Sequence, residues 1–137
     1  MKNVLSVGLG GVLGALARYY LCLPLNTGSL FPWGTFAVNM LGSFFLALFL
    51  TVAIKHLYHR PFLVLTVSTG FTGSFTTFSA VSAEMVNLAY LNPFLSFVYL
   101  AASFFAGLFL AYAGRFAGNR ISVSFGEKLS ARGGMDC

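Results

Sequence analysis

The residues able to do chemistry are few, and they lie where polar groups are rare. Residues 69–82 read Thr-Gly-Phe-Thr-Gly-Ser-Phe-Thr-Thr-Phe-Ser-Ala-Val-Ser, inside a long apolar stretch. Arg18 and Asn39 precede this run; Glu84, Tyr99 and Ser103 follow it. They form no nucleophile–histidine–acid set, metal-ligand cluster or phosphate loop with a lysine, which argues against an enzyme. What they offer is ion binding: amide and hydroxyl donors for an anion, and oxygens for a hard cation. Glycine and hydroxyl residues this dense weaken a helix. At membrane depth, opened backbone is tolerated only against protein, an ion or trapped water. Two readings fit the run: a helix opened to bind ions, or a small-residue stretch packed closely on a neighbour.

The elements that carry these residues follow from composition. The chain has 137 residues, 58% hydrophobic and 8% charged, whereas a soluble domain carries about a quarter charged residues. This composition predicts an all-α integral membrane protein. From residue 3 to 54 the one charge is Arg18, and from 62 to 114 it is Glu84. Since about 20 residues cross the hydrocarbon layer, each stretch has room for two helices. The prediction is one four-helix transmembrane domain, residues 1–120, with spans at about 4–23, 35–54, 62–87 and 93–114. Residues 121–137 turn polar and read as a mobile tail. The net charge of +5 gathers at the ends and in the 55–61 connector, as juxtamembrane anchors do. No basic stripe with interleaved aromatics supports nucleic-acid binding. Lys2 and the apolar run after it resemble a signal peptide, but without a clean cleavage site the run reads as a permanent span. Cys22 and Cys137 do not suggest a disulfide framework.

Helical phase then assigns faces. In span one, Gly8, Gly11, Gly14 and Ala15 form a small-residue face that allows close packing. Arg18 near its end, beside Tyr19 and Tyr20, is either a snorkelling anchor or a cation at a pore mouth. Asn39 either bonds a neighbouring helix or gives its two N–H groups to an anion. On a continuous helix, Phe75, Phe78, Ser79 and Ser82 share one side. Glu84 is an intramembrane carboxylate and so a candidate site residue, unless it sits at the interface. Tyr99 and Ser103 are one turn apart and line one face of span four; Ala106, Gly107, Ala111 and Gly114 give it a small-residue face.

Three stretches occur in order: Gly-Gly11-Val-Leu-Gly-Ala-Leu-Ala-Arg18-Tyr, then Trp33-Gly-Thr-Phe-Ala-Val-Asn39 with Gly42, and Gly70-Phe-Thr-Gly73-Ser-Phe-Thr76-Thr77-Phe78-Ser79 followed by Glu84. Together they resemble the Fluc/CrcB fluoride channel family. The resemblance covers all four spans, in order. It implies an antiparallel dual-topology dimer with two pores and a central structural Na⁺, exporting fluoride across the cytoplasmic membrane. It further implies that Gly73 and Thr76 hold the Na⁺ through backbone carbonyls. Asn39 takes the place of the pore asparagine and Phe78 the first pore phenylalanine. Thr77, Ser79, Tyr99 and Ser103 match hydroxyls along the anion path, Glu84 the acid at the pore end and Arg18 the vestibule arginine.

Two features depart from that pattern. The second pore phenylalanine falls on Val81, which has no ring edge; Phe75 is the candidate to compensate. With four spans, Lys2, Lys55, Arg60, Arg115, Arg120, Lys128 and Arg132 all lie on one side, and Arg18 lies on the other. Such asymmetry fixes orientation with the termini in the cytoplasm, so the partner is either a second copy or a related subunit of opposite orientation. The competing functions are a four-span proton-coupled multidrug-type antiporter and a non-transporting membrane scaffold subunit. The antiporter needs a titratable carboxylate in the first span, where this chain has Arg18.

Overall fold

The computed structural model describes residues 2–26, 28–57 and 59–133, with side chains between 3 and 124. Cys137 and the end of the expected tail, 134–137, lie outside the described residues. Among the described residues the chain is all helical. The helices are α1 (Lys2–Leu25), α2 (Trp33–His56), α3 (61–75), α4 (Phe78–Leu91) and α5 (Pro93–Gly133). Three stretches are long and apolar enough to cross a bilayer: Asn3–Leu25, Trp33–His56 and Pro93–Ser124. The fourth apolar stretch is divided between α3 and α4, and neither piece reaches that length alone.

Local chemistry sets the boundaries. The Asn26 side-chain oxygen accepts from the Gly34 N–H at 2.8 Å, satisfying an orphan donor at the start of α2. Lys55 and His56 occupy the last turn of α2, where positive charge suits the helix dipole. Pro61 opens α3, and Pro93 opens α5 directly after Asn92, whose side chain caps the Leu95 N–H at 3.1 Å.

Helix α3 is not a regular helix. Pro61–Leu65 is α-helical, Thr66–Thr72 is π-helical, and Gly73–Phe75 is a final α-helical turn. Hydroxyls bond back along it: Thr66 to the Phe62 carbonyl at 2.9 Å, Ser68 to Val64 at 2.6 Å, Thr72 to Val67 at 3.0 Å. The widened stretch lies against α1, where glycines bring the backbones together. A Cβ on Gly14 would collide with the Phe71 carbonyl, and one on Gly10 with that of Thr66. The close face of α1 is therefore Gly10 and Gly14, one turn apart. Gly8 has open space and Gly11 faces the Ser74 hydroxyl, so the predicted Gly8–Gly11–Gly14 stripe is shifted in phase.

Helix α5 lies along α2 through Gly107, Gly114 and Gly118, which face Met40 and Ser43, the Phe44 carbonyl, and Thr51 respectively. Beyond residue 114 the helix continues to Gly133, across residues expected to form a polar tail. The continuation has a partner to pack on: Gly118 seats against Thr51, and Lys55 donates to Asn119 at 3.1 Å. No proline interrupts the run up to Gly133. The small internal core is Val81, Leu88 and Tyr99, with Phe31, Phe36, Met85 and Leu95 packed around it. Large apolar side chains such as Leu9, Val12, Phe97, Phe105 and Phe109 face outward, as suits contact with lipid.

Candidate functional site

Between α3 and α4 the backbone leaves the helix for two residues. Thr76 (φ −83°, ψ 157°) and Thr77 (φ −149°, ψ 119°) are extended. In an unbroken helix the Thr77 N–H would bond the Gly73 carbonyl, and the Ala80 N–H the Thr76 carbonyl. Both donors are diverted. Thr77 N–H donates to Asn39 Oδ1 at 2.8 Å, and Ala80 N–H to Thr77 Oγ1 at 3.2 Å. The carbonyls of Gly73 and Thr76 therefore lose their helical donors. Gly73 is exposed, with nothing within 4 Å of where a Cβ would stand.

Asn39 closes the gap from α2. Its Nδ2 donates to the Thr77 carbonyl at 3.1 Å while its Oδ1 accepts from the Thr77 N–H. The side-chain amide thus stands in for a neighbouring strand of backbone and holds the break in one geometry. This orientation leaves one amide N–H for another acceptor, not the two the sequence suggests. Gly42, one turn along α2, makes room for Thr76, whose methyl group would collide with any Cβ there.

The break separates two cavities, and Thr77 lines both. The first, of about 370 Å³, is bounded by Asn39, Ser43, Thr76, Thr77, Phe78, Val81 and Ser103 among others. The second, of about 700 Å³, is bounded by Arg18, Cys22, Asn26, Thr35, Thr77, Ser79 and Glu84 among others. Ser103 Oγ on the first cavity is buried and has no hydrogen-bond partner. Thr77 Oγ1 and Ser79 Oγ are 3.2 Å apart, joining the break to the second cavity.

Glu84 is held by hydroxyls. Thr35 donates to its Oε1 at 2.5 Å and Tyr99 to its Oε2 at 2.8 Å, tying α4 to α2 and α5. Tyr99 is fully buried, with Phe31 edge-on at 5.3 Å, so its hydroxyl is fixed on the carboxylate. Tyr99 therefore positions Glu84 and does not line either cavity. Two such bonds satisfy a partly buried carboxylate without a cation.

The phenylalanines separate. Phe75 is buried and stacks on Phe71, centroids 5.7 Å apart, whereas Phe78 is 81% exposed on the rim of the first cavity. Their predicted common face fails because the extended pair breaks the helical phase between them. Phe75 does not line the cavity. Val81 itself is buried against Tyr99 and Leu88.

Thr35 and Asn26 escaped the sequence reading. Asn26 opens the polar stretch 26–29 after the first apolar run, and Thr35 stands at the start of the second, so neither is set apart by its surroundings in sequence.

The family model described as CrcB-like protein, Camphor Resistance (CrcB), matches residues 5–115. The chain belongs to the CrcB family. One relative, a fluoride-specific ion channel FluC 2 of Geobacillus kaustophilus, is 42% identical over 113 residues, 80% of this chain and 88% of the relative. Another, a fluoride-specific ion channel FluC of Thermosipho melanesiensis, is 40% identical over 121 residues, 86% and 96% of the two chains. A third, a FluC 2 of Bacillus subtilis, is 41% identical over 125 residues, 89% and 92%. The matched span carries the whole site, from Arg18 to Ser103, and ends where α5 leaves its apolar part. In this CrcB protein the site has the composition of a binding path, and none of the apparatus of covalent catalysis.

Proposed function

We propose that this chain is the subunit of a passive, fluoride-selective channel. The observation that carries the proposal is its identity of about 40%, over most of its length, to relatives named fluoride-specific ion channels. The broken helix adds physical support, since it gathers hydrogen-bond donors between two cavities. The protein is a multi-pass membrane protein and not an enzyme.

Fluoride sheds water only where other donors replace it. Asn39 contributes its remaining amide N–H, Ser103 its unpartnered hydroxyl, and Thr77 and Ser79 their paired hydroxyls at the crossing between the cavities. The exposed Phe78 contributes a positively polarised ring edge. Arg18 raises the local anion concentration in the second cavity. Glu84, its oxygens held by Thr35 and Tyr99, fixes the wall of that cavity. A negative interior drives an anion outward by about 2.3 kcal/mol per 100 mV, so no fuel is needed.

In this reading α3 and α4 together make the fourth crossing, and two subunits pair antiparallel to give two pores. The exposed Phe78 and open Gly73 suit a surface completed by a second subunit. The Gly73 and Thr76 carbonyls, released from their helical donors, form an oxygen set that fits Na⁺, a hard cation. When bound, the ion supplies fixed positive charge at the centre of the pair. The basic connector and the C-terminal part of α5 face the cytoplasm of the cell that carries the channel in its plasma membrane. The partner is a second copy or a related subunit of opposite orientation.

The test is fluoride efflux from liposomes containing the purified protein, read with a fluoride electrode. Selective efflux driven by a membrane potential and indifferent to a pH gradient is expected. Coupling to a proton gradient would favour an antiporter. No efflux, with or without a co-reconstituted related subunit, would refute the channel.

A further inference from the structure

Positive charge gathers where α2 ends and α5 leaves its apolar stretch. Lys55 stands in the last turn of α2, Arg60 lies in the connector to α3, and Arg115 and Arg120 stand on α5. Lys55, Arg60, Arg115 and Arg120 are all exposed. Among the described side chains the only acid is Glu84, and its oxygens are occupied by Thr35 and Tyr99. The cluster therefore has no internal counter-charge among the described residues.

The cluster is also built into the packing. The Lys55 amine is tied to Asn119 at 3.1 Å, which joins the end of α2 to α5. The Arg120 guanidinium lies over the Phe116 ring at 5.2 Å from its centroid, which restrains its direction. Ser122, one turn beyond Gly118, is buried, so the extension of α5 is seated against the bundle. Exposed apolar groups precede these charges along their helices, Ile54 at 74% next to Lys55 and Tyr112 at 72% three residues before Arg115, with Phe62 at the start of α3. Fixed cations above an exposed apolar wall match an amphiphile with an anionic phosphate head and acyl chains.

We propose that this end of the bundle binds the headgroup of an anionic glycerophospholipid. Lys55, Arg115 and Arg120 meet the phosphate, and the apolar sides of α2 and α5 meet the chains. Charge complementarity selects the lipid: basic clusters just outside a membrane span attract anionic headgroups, and a zwitterionic headgroup has no net charge to offer. The long helical continuation of α5 then has a role, which is to hold Arg120 at the interface. The inference depends on the membrane reading alone and stands or falls separately from fluoride conduction.

The experiment is lipid retention by the full-length protein. Protein reconstituted in vesicles of equal phosphatidylglycerol and phosphatidylcholine is extracted in mild detergent, and its bound lipids are counted by native mass spectrometry. Phosphatidylglycerol is expected to be retained in preference to phosphatidylcholine, by on the order of ten-fold or more. Arg115→Gln with Arg120→Gln, which leaves the Lys55–Asn119 bond in place, should bring the ratio close to one. High salt during extraction should lower the wild-type ratio in the same direction, which gives a readout independent of how the variant folds. Equal retention of the two lipids by the wild type, or an unchanged ratio in a folded double variant, overturns the proposal. Displacement of phosphatidylglycerol by millimolar inorganic phosphate also overturns it, by assigning the site to free phosphate.

Discussion

Asn39→Asp isolates the roles of one amide. The substitution keeps the oxygen that accepts from the Thr77 N–H at 2.8 Å but replaces the donor that meets the Thr77 carbonyl at 3.1 Å. Two oxygens then face each other, and the lost bond with its unpaired carbonyl costs about 1–3 kcal/mol of local stability. The charge acts on conduction separately. An anion passing about 4 Å from a carboxylate meets about 4 kcal/mol of repulsion at an effective dielectric constant near 20. That is close to a thousand-fold in rate, and half of it, after screening by cavity water, still exceeds ten-fold. The assay is fluoride-electrode efflux from liposomes, with elution volume and thermal stability measured on the same preparation. Efflux should fall at least ten-fold at neutral pH while the protein still assembles. It should recover partly as pH is lowered, because a protonated carboxyl loses its charge and regains an O–H to donate to Thr77. Undiminished efflux at neutral pH would refute the place of Asn39 beside the path. A loss that acid does not relieve would show that the geometry of the break, not charge, is what the amide protects.

Three further outcomes test other parts of the structure. Phe78→Ile should abolish most fluoride efflux without changing elution volume or melting temperature by more than a few degrees, because the ring is 81% exposed in the subunit. Tyr99→Phe removes the donor to one Glu84 oxygen inside a fully buried site. It should cost about 1–3 kcal/mol, seen as a lower denaturation midpoint in detergent. Gly14→Val should prevent recovery of folded protein, since its Cβ would meet the backbone carbonyl of Phe71, which cannot turn aside; Gly8→Val, facing open space, should be recovered at near wild-type yield.

What the sequence disclosed depends on the range over which each signal acts. The apolar stretches announce membrane helices because hydropathy is summed over a whole span; three such helices stand among the described residues, the last running well past residue 114. The density of glycine and hydroxyl residues in 69–82 points to the extended pair Thr76–Thr77 because weakened helix propensity is local. Asn39, Thr77, Phe78 and Ser103 border one cavity, and Arg18, Ser79 and Glu84 the other. Helical phase carries information only while the helix is continuous. It was extended through the break, and so it put Phe75 beside Phe78. In α1, where the helix is unbroken, the contact face still depended on the approach of α3, and this selected Gly10 over Gly8.

The links that stayed hidden are long-range and polar. Thr35 is 49 residues from Glu84 and Asn39 is 38 from Thr77, and neither spacing is periodic in anything. Their logic emerges from accounting for donors. Once Thr76 and Thr77 leave the helix, the Thr77 N–H and carbonyl need partners, and a primary amide is a side chain that supplies both at once. An aspartate lacks the donor, a serine lacks the reach, and a leucine leaves both groups orphaned. The same accounting assigns two hydroxyls to Glu84, since a carboxylate without a nearby cation requires donors. Opening the backbone thus creates both the oxygen set at Gly73 and Thr76 and the requirement for Asn39. In the proposed channel the cation site and the anion path both follow from one broken turn, so a substitution that restores the helix across 76–77 should remove both together.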